Sequence, residues 1–246
     1  MKPDKNELRE LSRILSEAYD DTGGKGPLLQ GASQDPLDTL ILTILSQATN
    51  DTNSGRAFDD LKRAFPDWEA VRTAPTSEVE RAIARGGLAA QKAPRIQRIL
   101  DQILEAHGSL DLDFLRSRPP EEAFRYLTSF DGVGPKTAAC VLLFALDRPV
   151  FPVDTHILRV SKRLGLVDPR ATAEKAQEIL GQVIPPDCVY PLHINLIEHG
   201  RRVCRSRNPA CEICVVKPEC DAATPEPAAS RNKPADSRKK LSRRKR

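Results

Sequence analysis

Apolar residues along the chain recur at helical spacing and almost never alternate. Leu8, Leu11, Ile14, Leu15 and Ala18 fall on one face of a helix over 4–19, with Asp4 and Glu7 at capping-box spacing. Residues 20–34, with Gly23, Gly24, Gly26, Pro27 and Gly31, read as a loop. Asp35-Pro36 opens a second helix with Leu37, Leu40, Ile41, Ile44 and Leu45 inward, ending in the polar cluster Ser46 to Asn50. Further helices are predicted over 52–65, from Ser77 with Glu80 as cap pair to Gly86-Gly87-Leu88, and over 90–107 with Ile96, Ile99, Leu100, Ile103 and Leu104 inward. One turn is expected at 112–117. Pro119-Pro120 opens another helix, and more follow at 155–164, 172–183 and 188–203. Val150 to Val153 is too short for a strand and carries a proline. The prediction is an all-α protein of about ten helices without internal repeats.

The stretch Phe130 to Ile157 interrupts this pattern with chemistry. Gly132-Val133-Gly134 forms a glycine hairpin, and Pro135 suits the first turn of the helix after it. Lys136 then stands where free backbone N–H groups point outward and the potential is positive, conditions in which a neutral amine can serve as a nucleophile. Asp154 is placed at an N-cap. Two readings fit these residues. In one the glycines make a turn, the lysine is solvated and the aspartate only caps. In the other the hairpin grips a phosphate and Lys136 faces a reacting carbon with Asp154 opposite.

Composition narrows the class. The chain has 246 residues, 39% hydrophobic and 29% charged, enough for one large or two small domains. No apolar run approaches the roughly 20 residues of a spanning helix, and the N-terminus lacks a secretory core, so an intracellular protein is expected. Net charge is +4, but residues 231–246 hold nine Lys or Arg against Asp236, a net +8 that leaves residues 1–230 at −4. Nucleic-acid binding by the body must then come from a local patch. From Ala222 onward the composition predicts a disordered basic tail that adds salt-sensitive attraction.

Of six cysteines, Cys140 and Cys188 stand alone in apolar stretches and read as buried small residues. The other four fall within 17 residues as Cys204-x6-Cys211-x2-Cys214-x5-Cys220. Without an export signal they read as metal ligands rather than disulfides, and spacing alone leaves zinc and a four-iron cluster both open.

GVGPKTA, then PVDTHI, then this cysteine run resembles the endonuclease III family of DNA glycosylases, the iron–sulfur branch of the helix-hairpin-helix glycosylases, over roughly residues 28–221. The resemblance implies two all-α lobes: a six-helix barrel at 28–148, containing the helix-hairpin-helix at 121–145, and a lobe combining residues 1–27 with 149–222 around a [4Fe–4S] cluster. A disordered tail would occupy 223–246. It implies a monomer that binds double-stranded DNA across the cleft and flips out an oxidised pyrimidine or abasic nucleotide. Lys136 would attack the sugar C1′ and form a Schiff base, and β-elimination would cut the strand. Asp154 would stabilise the cationic sugar. Gly132, Val133, Gly134 and Thr137 match the phosphate-gripping hairpin. Gln47 matches a residue that fills the gap left by the flipped base, and Leu88 the wedge. His156 follows as a phosphate or helix-start residue, and Cys204, Cys211, Cys214 and Cys220 as cluster ligands. Arg205 and Arg207 are candidate phosphate contacts.

Two departures are visible. Phe130-Asp131 stands where the family usually has Leu-Pro, putting a negative charge near Lys136 and predicting reduced activity. Ala89-Ala90 lacks the usual bulk beside the wedge, which bears on lesion preference. The related adenine glycosylases carry a glutamate that Ile41 to Ser46 lacks. A non-catalytic DNA-binding paralogue is the other alternative.

Overall fold

The computed structural model describes residues 4–19 and 34–223. These contain eleven α-helices joined by short loops and 3₁₀ turns, and no β-strand. In chain order they are α1 Lys5–Tyr19, α2 Pro36–Leu45, α3 Asp51–Ala64, α4 Trp68–Thr73, α5 Thr76–Ala82, α6 Ala89–His107, α7 Pro120–Thr128, α8 Pro135–Phe144, α9 Thr155–Arg163, α10 Ala173–Val183 and α11 Pro186–Arg202. Most of the loop expected over 20–34 and the basic tail lie outside the described residues.

Local capping explains where most helices begin. Asp35 accepts the Leu37 and Asp38 N–H groups at 2.7 and 3.1 Å, Asn50 accepts from Asn53, and Thr172 from Lys175. Each such cap stabilises its helix by about 1 kcal/mol. The Asp4 N–H donates to Glu7 at 2.9 Å, which is half of the expected capping box. The helix expected at Ser77 starts at Thr76 behind Pro75 without a side-chain cap, and the Thr76 hydroxyl instead donates to Gln97 at 2.7 Å. The last long helix starts at Pro186, two residues before the expected boundary, because proline suits its first turn. The sequence reading did not pick out α4. Asp67 caps it, and its Trp68 indole donates to Asp38 at 3.0 Å.

Two apolar cores form. The first is built by α2 to α8 around Leu40, Ile44, Leu61, Ile96 and Leu142. The second joins α1 to α9, α10 and α11 around Leu15, Phe151, Ile157, Val160 and Leu196. The helix α8 serves both: Ala138, Val141 and Leu142 belong to the first, Leu143 to the second, and every residue from Thr137 to Leu143 is buried. Arg116 closes its C-terminal end, donating to the Ala145 carbonyl at 2.7 Å and to the Gln34 carbonyl that precedes α2. Arg201 of α11 pairs with Asp51 of α3 and fastens the second lobe to the first.

Because one buried helix serves both cores, the two lobes are expected to unfold together. Leu142→Ala should cost about 2–5 kcal/mol. It should lower the urea midpoint equally by fluorescence of Trp68, which lies in the first core, and by far-ultraviolet dichroism. Separate midpoints would show independent lobes.

Candidate active site

The hairpin is shaped by its contacts as much as by its glycines. The Phe130 carbonyl accepts the Val133 N–H at 3.1 Å, and buried Val133 anchors the turn in the first core. Gly132 has φ +76°, and a Cβ there would meet the Arg95 side chain at 2.3 Å. The left-handed backbone strains any larger residue there, and the Arg95 side chain would have to move to admit one. Gly134 is extended and supplies no side-chain cap to α8. The Lys136 and Thr137 N–H groups therefore have no intrahelical acceptor at the positive end of a buried helix. The Thr137 side chain is buried, with its hydroxyl 3.4 Å from Gln47 Nε2, so any ligand contact it makes is through its backbone.

Lys136 and Asp154, both half-buried, are 18 positions apart in the chain but act on the same neighbours. The Asp154 carboxylate caps α9, accepting the Ile157 N–H at 2.7 Å. Cys140, one turn beyond Lys136, is fully buried; burial pushes its thiol pKa up, with Lys136 opposing and Asp154 adding to the shift. His193 of α11 lies 3.0 Å from the Pro152 carbonyl through Nδ1. A carbonyl only accepts, so Nδ1 carries the proton. Burial pushes the His193 pKa down to about 4, while Asp154 pulls it up and Lys136 pushes it down. Two buried groups thus sense the same lysine–carboxylate pair. Gln177 of α10 joins the two segments: its Oε1 accepts the Val153 N–H at 3.3 Å, and its Nε2 donates to the Pro135 carbonyl at 3.2 Å.

Gln47 and Leu88 flank the same face. Gln47 Nε2 donates to the Gly132 carbonyl at 3.1 Å. Leu88 is 49% exposed and left-handed, φ 53°, a conformation that costs a leucine about 1–2 kcal/mol. An exposed, strained leucine is not core packing. His156 accepts from Arg159 through Nδ1 at 3.1 Å. Gly200 lies against its Cβ, so α9 and α11 meet closely there. Asp131 is paired with Arg98 at 3.1 Å, so its charge does not stand alone beside Lys136.

Cys204, Cys211, Cys214 and Cys220 all line one cavity of about 220 Å³, together with Arg163 and His199. Burial pushes the Cys214 thiol up, a hydrogen bond with the Val216 backbone opposes this, and Cys204, Cys220 and Cys211 add to the rise, so the other three lie near it. As placed, the described residues contain no group of three or more His, Cys, Asp or Glu able to hold a metal ion. Arg163 lies 3.2 Å from the Cys204 sulfur and also donates to the Arg205 and Ser206 carbonyls. It braces the loop that carries Arg205 and Arg207, both exposed. Tyr19 of α1 reaches His199 at 2.8 Å, tying the N-terminal helix to this lobe.

Arg95, Gln177, Arg163 and His193 carry no local signal in the sequence that would mark them for this site. Lys92 escaped as well, although a cation on the inward stripe of α6, four residues before Ile96, is a visible anomaly. His193 also makes stability pH-dependent. Its folded pKa lies below the ordinary 6.5, so its contribution is complete above pH 6.5 and is lost as pH falls toward 4. The slope should be on the order of 1 kcal/mol per pH unit. Burial lowers the His199 pKa to about 4 as well, so His193→Asn, which can keep a donor to the Pro152 carbonyl, should reduce the pH dependence of the denaturation midpoint between pH 6.5 and 4 by about half. An unchanged slope would contradict the assignment.

Comparison with known proteins places this geometry. The family model "HhH-GPD superfamily base excision DNA repair protein" matches residues 41–186. The Arabidopsis thaliana protein "Putative DNA glycosylase At3g47830" is 40% identical over 190 residues, 77% of this chain, and the match spans 63% of that relative's length. Endonuclease III of Thermotoga maritima is 35% identical over 187 residues, 76% of this chain and 83% of the relative. The solved structure of a trapped endonuclease III–DNA covalent intermediate superposes with TM-score 0.76 at 26% identity, covering 90% of this chain and 98% of that one.

Proposed function

The chain belongs to the HhH-GPD superfamily of base excision DNA repair proteins, and on that premise we propose that it removes oxidised pyrimidines from duplex DNA and cuts the strand at the resulting abasic site. The observation that carries this reading is that Gln177 ties Pro135, the residue before Lys136, to Val153, the residue before Asp154, at the starts of two helices. The Lys136 amine attacks the deoxyribose C1′ and the damaged base leaves. The sugar ring opens to an imine, which acidifies the adjacent C2′ protons, and β-elimination expels the 3′ phosphate. The Asp154 carboxylate offsets the positive charge that grows on the sugar and assists proton transfer. The N–H groups at the start of α8 hold a DNA phosphate. Gln47 and Leu88 occupy the space the flipped nucleotide leaves. The small residues Ala89 and Ala90 beside Leu88 bear on which lesion is preferred.

The four cysteines fit a [4Fe–4S] cluster. Here four thiols line one cavity of about 220 Å³, the donor set that such a cluster takes. A bound cluster supplies a rigid thiolate-anchored node. Around it Arg163 orders the Arg205–Arg207 loop for phosphate contact. Cys211→Ser should reduce iron content per chain.

Lys136→Ala should abolish strand cleavage of a duplex bearing one thymine glycol or one abasic site. Asp154→Asn should slow single-turnover cleavage about 10²–10⁴-fold while duplex affinity holds. Undiminished nicking by Lys136→Ala would overturn the lysine route.

A further inference from the structure

Lys92 is the only lysine or arginine among the described residues that is fully buried, at 1% exposure. Removing an ammonium from water is costly unless its protons find acceptors. Lys92 Nζ donates to the Leu45 carbonyl at 2.7 Å and to the Gly86 carbonyl at 2.9 Å. Its backbone N–H donates to the Leu88 carbonyl at 3.0 Å. Leu45 lies two residues before Gln47, and Gly86 two residues before Leu88. Each turn then passes through a left-handed residue other than glycine, Ala48 at φ 54° and Leu88 at φ 53°. Such conformations persist where the surroundings fix them. Gly86 is packed against α3 and the Leu45 turn: a Cβ there would lie 3.1 Å from Ala57 Cβ and 3.8 Å from the Leu45 carbonyl.

We propose that Lys92 is a positioning residue that locks the Gln47 turn and the Leu88 turn to each other, so that the two side chains enter the duplex as one rigid unit. This rests on the reading that Gln47 and Leu88 fill the space left by a flipped nucleotide. A lysine that merely closed the end of α2 would matter to folding alone. A lysine that couples the turns matters specifically to opening paired DNA. It is not needed once the nucleotide is already unpaired.

The test uses the full chain and the variant Lys92→Met, which keeps the length and removes the donors. Duplex DNA carries a tetrahydrofuran abasic-site analogue with 2-aminopurine opposite, whose fluorescence rises when the orphan base unstacks. Single-turnover cleavage is measured at an abasic site in duplex and in single-stranded DNA. Lys92→Met should suppress the fluorescence rise and slow duplex cleavage about tenfold or more, leaving single-strand cleavage within about twofold of the parent. Added to Gln47→Ala with Leu88→Ala, it should have no further effect. Equal losses on both DNA forms, or an undiminished additional loss in that background, would overturn the proposal. If Lys92→Met does not fold by circular dichroism, Lys92→Gln carries the same comparisons. A parent that cleaves neither DNA would refute the proposed activity, while the fluorescence arm would still decide the coupling.

Discussion

The structure depends on one buried helix whose positive end is left open. Every residue of α8 from Thr137 to Leu143 is withdrawn from water, and the helix is shared by both apolar cores. Its C-terminal end is closed by Arg116, whereas its N-terminal end has no side-chain cap. A helix held this firmly cannot fray to satisfy its first N–H groups. They remain oriented outward for an anion, with Lys136 in the same turn. The lobes are thus arranged around a fixed terminus, and the adjoining segment that bears Asp154 is held to it through Gln177.

The buried and half-buried polar groups around this helix serve geometry more than net stability. His193 holds the Pro152 carbonyl, and Gln177 spans Val153 and Pro135. Each acts on backbone next to a residue with a chemical role. Burying such groups is costly unless their partners are in place, so their positions are sharply defined once the fold forms. This precision suits a reaction whose transition state needs an amine and a carboxylate on one sugar.

Much of this was legible in the chain because the signals are local. The order Gly132-Val133-Gly134-Pro135-Lys136 specifies a hairpin feeding a helix within five residues, and Asp154 before Thr155 specifies a cap. The helical periodicity located most elements, because one apolar face per helix is the minimum that a two-core protein needs. What escaped depends on distant contacts. Lys92 meets Leu45 across 47 positions, Gln177 meets Pro135 across 42, and His193 meets Pro152 across 41. No spacing rule encodes these pairs, because tertiary packing creates them. The burial of Thr137 and the Arg98 partner of Asp131 were hidden for the same reason. The short α4 escaped because six residues are too few for a period to show.

The most direct measurement is borohydride reduction of the protein on duplex DNA bearing one abasic site, followed by proteolysis and mass mapping of the cross-linked peptide. The account predicts a single covalent adduct, on the peptide containing Lys136. A stable adduct on any other amine, or strand cleavage without an adduct, would contradict it.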